Sequence, residues 1–308
     1  MHKFILKRFL MLIPVLLGLV FILFTILHFA PGDPAMVIGG EAATEERLQE
    51  IREEFGLLDP FIVQFGNYMW GIIRLDFGVS WITNNSVGEE IFARFPNTIQ
   101  LAAMGVTLGL LLGIPLGILS ATKQYSALDT GATVFGLLGV SIPNFWLGLM
   151  MIMFFSVTLG WLPPTGFGEP IQWIMPTVAI GTGSMAIIMR MTRSSMLECI
   201  RQDYIRTARA KGQKERIVIF RHALKNALIP VTTVAGLNFG FLLGGAVLTE
   251  TIFAIPGIGS LAVSAIQARD RPVILGGVLL FAVTFSVVNL LVDILYAFID
   301  PRIRSQYR

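Results

Sequence analysis

The chain has 308 residues, of which 54% are apolar and 14% charged, and its net charge is +3. Soluble domains carry roughly 25% charged residues, so the composition excludes a water-soluble globular protein and places the chain in a membrane. A single cysteine, Cys199, and three scattered histidines, His2, His28 and His222, exclude a disulfide framework and any metal site built on Cys/His spacing.

An apolar helix needs about 20 residues, at about 1.5 Å each, to cross a ~30 Å hydrocarbon core. That criterion predicts an all-α bundle of six transmembrane helices, near residues 9–30, 99–121, 130–160, 173–193, 228–249 and 273–298. The first run follows Lys3, Lys7 and Arg8 but is too long for a secretory signal and lacks a small-residue cleavage site. It is therefore expected to remain as a span. Residues 1–30 hold the amino terminus and this span, 31–97 an extracytoplasmic helical segment, and 98–308 a core with the other five spans. Seventeen of the 23 Lys and Arg fall at the two ends and in the 2–3 and 4–5 loops, including the span-end Arg190 and Arg193, whereas the 1–2 loop holds eleven acids. By the positive-inside rule both termini and the loop 194–227 are cytoplasmic. Basic charge beside a membrane follows from that rule and from attraction to anionic lipid, and no nucleic-acid partner is implied.

Within the outer segment, "TEERLQEIREEFG" predicts a helix capped by Thr44 and stopped at Gly56, with Leu48, Ile51 and Phe55 on one face. Asp59-Pro60 starts a second helix whose apolar face is Phe61, Phe65, Tyr68, Met69 and Ile72. These helices either lie on the membrane or bundle, or form a platform for an outside partner. The second span repeats Gly105, Gly109, Gly113 and Gly117, and the fifth repeats Gly236, Gly240 and Gly244, which predicts close helix packing. Pro143 predicts a tilt or kink in the third span, with an interfacial end near Trp161.

His28, Arg190, Arg193 and Asp293 lie near span ends, where snorkelling keeps their charges wet. No ionisable group sits at a clear midplane, which counts against an ion-coupled secondary transporter. Asp293 is expected to pair with Arg190 or Arg193. Ser141, Asn144, Thr182, Ser184, Asn238 and Asn289 either bond between helices or line a water-filled path, and Ser141, Asn144, Ser184 and Asn238 are the candidates for lining it. There is no phosphate-cradling loop of the G-x-x-x-x-G-K-[ST] type, no H-E-x-x-H and no G-x-S-x-G. The chain is expected to catalyse nothing and to bind neither metal nor cofactor.

The densest charge lies between Asp203 and Lys225, with seven Lys or Arg against two acids. Asp203 is placed to cap a short helix over "YIRTARAK", and Gly212 to stop it. Such a helix is marginal in water and needs a surface to pack on. Ala208 and Ala210 would let a partner approach, Tyr204 and Ile205 would anchor it, and Arg206, Arg209 and Lys211 would form a basic rim. Beyond it Ile217, Phe220, Leu224 and Leu228 recur at helical spacing on the way to Pro230.

"DYIRTARAKG" followed by "RHALKNALIP" resembles the cytoplasmic signature loop of ABC importer permeases, in the form carried by the dipeptide, oligopeptide and nickel family. Arg206, Thr207 and Ala208 stand where permeases of that superfamily generally show Glu-Ala-Ala, followed by three residues and then a glycine that here is Gly212. "IPVLLGLVFILFTILHFAPGDP", "FGLLDPFIVQFGNY", "RLDFGVSW", "RMTRSSMLE", "TETIFAIPGIGSLAVSAIQARDRPV" and "NLLVDILYAFIDPRIR" resemble other parts of that family in chain order, and the first favours the first-named permease subunit. The resemblance implies a prokaryotic inner-membrane permease that forms half of a pathway for dipeptides or short oligopeptides. Nickel, glutathione or another small solute are alternatives. It also implies a second permease, two ATPases carrying ATP and Mg, and an extracytoplasmic binding protein. Asp203, Tyr204, Arg206, Thr207, Ala208, Ala210, Lys211 and Gly212 would couple to an ATPase. Glu250, Pro256, Gly257 and Gly259 would face the binding protein.

Overall fold

The computed structural model describes residues 2–40 and 42–299 of the chain. The Asp-Pro-Arg sequence and the basic tail lie outside the described residues. Among those described there are no strands, only an isolated bridge between Val79 and Ser86. Among the described residues five helices are long and apolar enough to cross a membrane, and a pair bent by 95° makes six if it is counted as one span.

The first span is α1 (His2–His28). Three helices follow on the far side: α2 (Pro34–Gly39), α3 (Glu45–Glu54) and α4 (Phe61–Ile73). Asp33 caps α2 by accepting from the Ala35 amide at 2.9 Å, and its other oxygen holds Arg52 of α3 at 2.6 Å. Thr44 caps α3 as expected, and Gly56 takes the left-handed conformation that ends it. Leu48 and Ile51 are buried with Ala35, but Phe55 is exposed, because the helix stops at its own backbone and swings that ring out of the small core. On α4 the expected apolar face meets α1, where Phe61 and Phe65 pack edge-on against Phe21 and Phe24 at centroid separations of 5.4 to 5.9 Å. The α4 helix thus lies against the bundle.

α5 (Val87–Thr122) begins well before the predicted span, so the expected division between residues 97 and 98 falls inside one continuous helix. The third predicted span is broken outright: α6 (Ala127–Ser141) and α7 (Asn144–Met151, continued as a π-helix to Thr158) meet at 95° across Ile142-Pro143. Proline lacks an amide donor and forces its predecessor out of helical geometry, which makes this break far sharper than a tilt.

α8 (Ile174–Ile200) is the axis of the molecule, packed against α5, α6, α7 and α11 (Leu224–Gly245). All four glycines of the α5 stripe are buried against it. Their lack of a Cβ brings the backbones together: a methyl at Gly109 would lie 3.0 Å from the Met185 amide, and one at Gly113 2.8 Å from the Met185 carbonyl. In α11 Gly236 and Gly240 similarly receive Val292 and Val288 of α14 (Arg271–Ile299), but Gly244 is exposed with nothing facing it. Between these spans lie α9 (Asp203–Ala210) and α10 (Glu215–Ile217) on one side of the bundle, and α12 (Val247–Ile252) and α13 (Ile258–Ala268) on the other.

Candidate functional site

The basic loop folds as a helical hairpin seated on the ends of α5 and α8. Asp203 is the first residue of α9 and caps nothing with its side chain, which instead lies 3.4 Å from Arg206, so its effect on the helix end is electrostatic only. Gly212 has φ +74 and donates to the Arg209 carbonyl at 2.9 Å, and the Gln213 amide reaches Ala208 at 3.3 Å, which closes the helix as the sequence predicts.

Ile205 and Ala208, expected to meet a partner, instead face inward. They are buried among Ile118 and Ala121 of α5, Met196 of α8, and Val218, Ala223 and Ala227 at the start of α11. Asp203, Tyr204, Arg206, Thr207, Arg209, Ala210 and Lys211 are exposed. Tyr204 is fixed by Asn226, whose Nδ2 donates to its hydroxyl at 3.0 Å, and Arg209 pairs with Glu215 at 2.6 Å. The small helix is therefore bolted to the spans by its apolar side and presents a polar, mostly basic face outward. Ile217 and Phe220 are likewise exposed while Val218 and Ala223 are buried, because Val218–Ala223 is a π-helix. Its wider turn shifts the phase of the pattern by which Ile217, Phe220, Leu224 and Leu228 were expected to share a core face.

Beside the hairpin Arg193 of α8 reaches Asp129 of α6 with two hydrogen bonds of 2.8 and 2.9 Å. Ser120 also donates to this carboxylate, and the Tyr125 amide donates to it at 3.0 Å. Asp129 is thus a partner of Arg193, where the sequence expectation pairs Asp293 with Arg190 or Arg193. Its side chain is only 6% exposed, so removing it strands a half-buried guanidinium. Asp129→Ala is expected to destabilise the protein by about 3 kcal/mol, while Asp129→Asn combined with Arg193→Gln recovers most of that loss. Thermal unfolding of the detergent-solubilised protein measures both, and equal losses in the single and double variants would remove the pair as a stabilising unit.

Of the four candidates for a polar path, Ser184 and Asn238 bond to each other between α8 and α11 at 2.7 Å and are buried. Interhelical bonding is the role the structure gives them. Asn144 sits beside Gly183 next to the α6–α7 break, and Ser141 is exposed on the other side of it. Thr182 bonds back to its own helix at Val178.

At the opposite end the segment after α11 is tied down by Glu250, whose relative exposure is 0%. Thr98 of α5 donates to its Oε1 at 2.7 Å, the Ser260 amide donates to Oε2 at 3.1 Å, and the Ile258 amide donates to Thr98 at 3.0 Å. Gly257 and Gly259 are buried against the carboxylate, which occupies the space their side chains would need. Glu250, Gly257 and Gly259 therefore serve an internal knot and are buried where the sequence expectation has them facing a binding protein. Pro256 alone of that expected set is exposed, and its carbonyl accepts from Asn97 at 2.8 Å. Burial pushes the Glu250 carboxyl up in pKa, and the donors from Thr98, Ser260 and Gly259 oppose that shift.

Residues 113–305 match the family described as the binding-protein-dependent transport system inner membrane component, and residues 1–102 match the N-terminal part described for such membrane components. The chain is a binding-protein-dependent transport permease. It is 45% identical to a dipeptide transport system permease of Alkalihalophilus pseudofirmus over 99% of this chain and all of that one. It is 41% identical to a glutathione transport system permease of Salmonella choleraesuis over 99% of both. Among solved structures, a chain of the inward-facing MetNI methionine ABC transporter is similar with a TM-score of 0.57 at 20% identity, over 68% of this chain and 95% of that one, which shows a shared fold. The permease is accordingly a multi-pass protein of the inner membrane, and its family role is transport.

Two constellations of the permease escaped sequence reasoning, Asp129 with Arg193 and Glu250 with Thr98. Their partners are 64 and 152 residues apart, and no local spacing records such pairing. A usable signal existed: each is an acid beside or within an apolar run, where a charge demands a partner.

Proposed function

We propose that this permease forms half of the translocation pathway of an ATP-driven importer for dipeptides or short oligopeptides. The observation that carries the substrate class is the likeness to a dipeptide permease along the whole chain. The other half of the pathway would be a second permease. Two ATPases bearing ATP and Mg would lie against the hairpin, and a binding protein would deliver substrate beside residues 31–97, so that both termini are cytoplasmic. The outer face of α9, with Arg206, Thr207, Arg209, Ala210, Lys211 and the end at Gly212, is the surface offered to an ATPase. Because Ile205 and Ala208 anchor the same helix to α5 and α8, a push on that face would be delivered to the spans as rigid-body motion.

The test reconstitutes the complex in proteoliposomes with Arg206→Glu and Ala210→Glu on exposed positions, where folding is not at risk. ATPase association and peptide uptake are expected to fall at least tenfold with permease abundance unchanged, since reversed charge on a docking rim is strongly disfavoured. Uptake should also be insensitive to a protonophore. Wild-type uptake by the variant would overturn the coupling role, and uptake of glutathione in preference to dipeptides would overturn the substrate.

A further inference from the structure

Arg271 opens α14 and is only 8% exposed, yet its Nε and Nη2 have no hydrogen-bond partner, and neither does the buried hydroxyl of Tyr68. The guanidinium lies 4.6 Å over the ring of Phe24. That contact satisfies its face, while the Nε–Nη2 edge remains a charged pair of donors in the fork geometry that matches two oxygens of a phosphate. Arg271 and Tyr68 line one cavity of about 280 Å³ together with Gln64, Asn67 and Trp81. Asp59 and Asp76 stand on the wall of the same cavity. The Asp76 Oδ1 accepts from the Gly78 amide at 2.9 Å, and neither acid forms an ion pair with Arg271 among the described residues.

A second cavity of about 610 Å³ shares Phe77 with the first and continues toward the membrane centre between α1, α4, α5 and α14. Its lining is apolar, including Leu17, Val20, Met69, Ile72, Phe92 and Leu279. It opens sideways past the exposed Leu17, Ile73 and Phe92. From Arg271 to Val283 at its lower end, α14 rises about 18 Å. Two adjoining cavities, with Phe77 in the lining of both, thus set unmet buried donors at the level of the span end beside an apolar trough running down from them.

We propose that these cavities bind one anionic phospholipid from the leaflet on the side of residues 31–97, with its phosphate on Arg271 and Tyr68 and an acyl chain along the trough. The amino-terminal end of α14 adds its positive dipole to the same spot. A free phosphate would satisfy the donors and leave the trough unexplained. An apolar segment of another protein would fill the trough and leave a buried guanidinium without its counter-charge.

The test equilibrates the assembled transporter in non-denaturing detergent with equal amounts of phosphatidylglycerol and phosphatidylcholine and weighs the retained adduct by native mass spectrometry. One phosphatidylglycerol is expected to be retained about tenfold over phosphatidylcholine, because both offer the same phosphate to Arg271 but the choline cation of the second offsets the negative charge that draws the lipid to a buried guanidinium. Arg271→Gln should erase the preference, and Tyr68→Phe, which removes only a hydroxyl, should lower retention of both lipids even if Arg271→Gln fails to fold. Leu17→Trp, an exposed change that narrows the trough, should lower retention of both lipids. Retention without headgroup preference, retention unchanged in Tyr68→Phe, a bound mass of inorganic phosphate alone, or no retained lipid because a partner chain fills the trough would each overturn the proposal.

Discussion

Gly113→Val is expected to lower the abundance of folded permease in the membrane several-fold. The substitution would place side-chain atoms against the Met185 carbonyl, 2.8 Å from a methyl at that position, and against Ile188 at 3.0 Å. A flexible side chain could turn aside, but the carbonyl belongs to the backbone of α8 and can retreat only if the two helices part. Those helices carry much of the main core, with Leu101, Val106, Ile180 and Ile188 buried together. Overpacking of a close-packed site costs about 1–3 kcal/mol, and contact with rigid backbone puts this case at or above the upper end. Against a total stability on the order of 5–15 kcal/mol, and with van der Waals packing as the main attraction between helices in lipid, that loss is a large fraction of what holds the fold together. Gly244→Ala serves as the control, since nothing lies within 4 Å of a Cβ there. The measurement is the amount of permease extracted from membranes and its melting temperature. Wild-type values for Gly113→Val would mean that α5 and α8 do not touch as described.

The spans were legible because lipid imposes a length and a polarity on any crossing helix, and both are written locally in the chain. The glycine stripe was legible for the same reason, as four positions on one face of one helix. What the sequence hid was decided by groups remote from one another. The inward turn of Ile205 and Ala208 depends on the π-helix at Val218–Ala223 and on the ends of α5 and α8. Ala208 reads equally well as room for a partner or as room for the chain's own core, and Ile205 as an anchor for either. The α6–α7 break was visible as Pro143, but its 95° angle depends on where α7 packs against α8 and α12. The family resemblance implies an outer loop in which Glu250, Gly257 and Gly259 face a binding protein, and a motif match does not record which side chains of such a loop are buried. Here glycine makes space for a buried carboxylate.

Glu250→Ala is expected to cost about 3 kcal/mol and to abolish transport by loosening the outer ends of α5, α12 and α13 together. Three things are lost at once. The Ser260 amide and the Thr98 hydroxyl lose their acceptor, the start of α13 loses the negative charge that its dipole favours, and a cavity opens at a site with no exposure. Buried donors left unsatisfied cost about 1–3 kcal/mol each before relaxation, so the total is set by how far the loop can collapse. Glu250→Gln keeps the volume and one acceptor oxygen, and costs about 1 kcal/mol by the same scale. The sign of the pH dependence follows from the raised pKa. A carboxyl held above its unfolded value binds protons more readily when folded, so it favours the folded state below the unfolded pKa, and that contribution is lost as pH rises through the folded pKa. Glu250→Gln cannot titrate and should remove this slope. Melting temperatures of wild type, Glu250→Gln and Glu250→Ala across pH 4 to 8 read both effects. If Glu250→Ala melted with wild type, the carboxylate would have no part in holding the loop, and Gly257 and Gly259 would have lost their reason to be glycine.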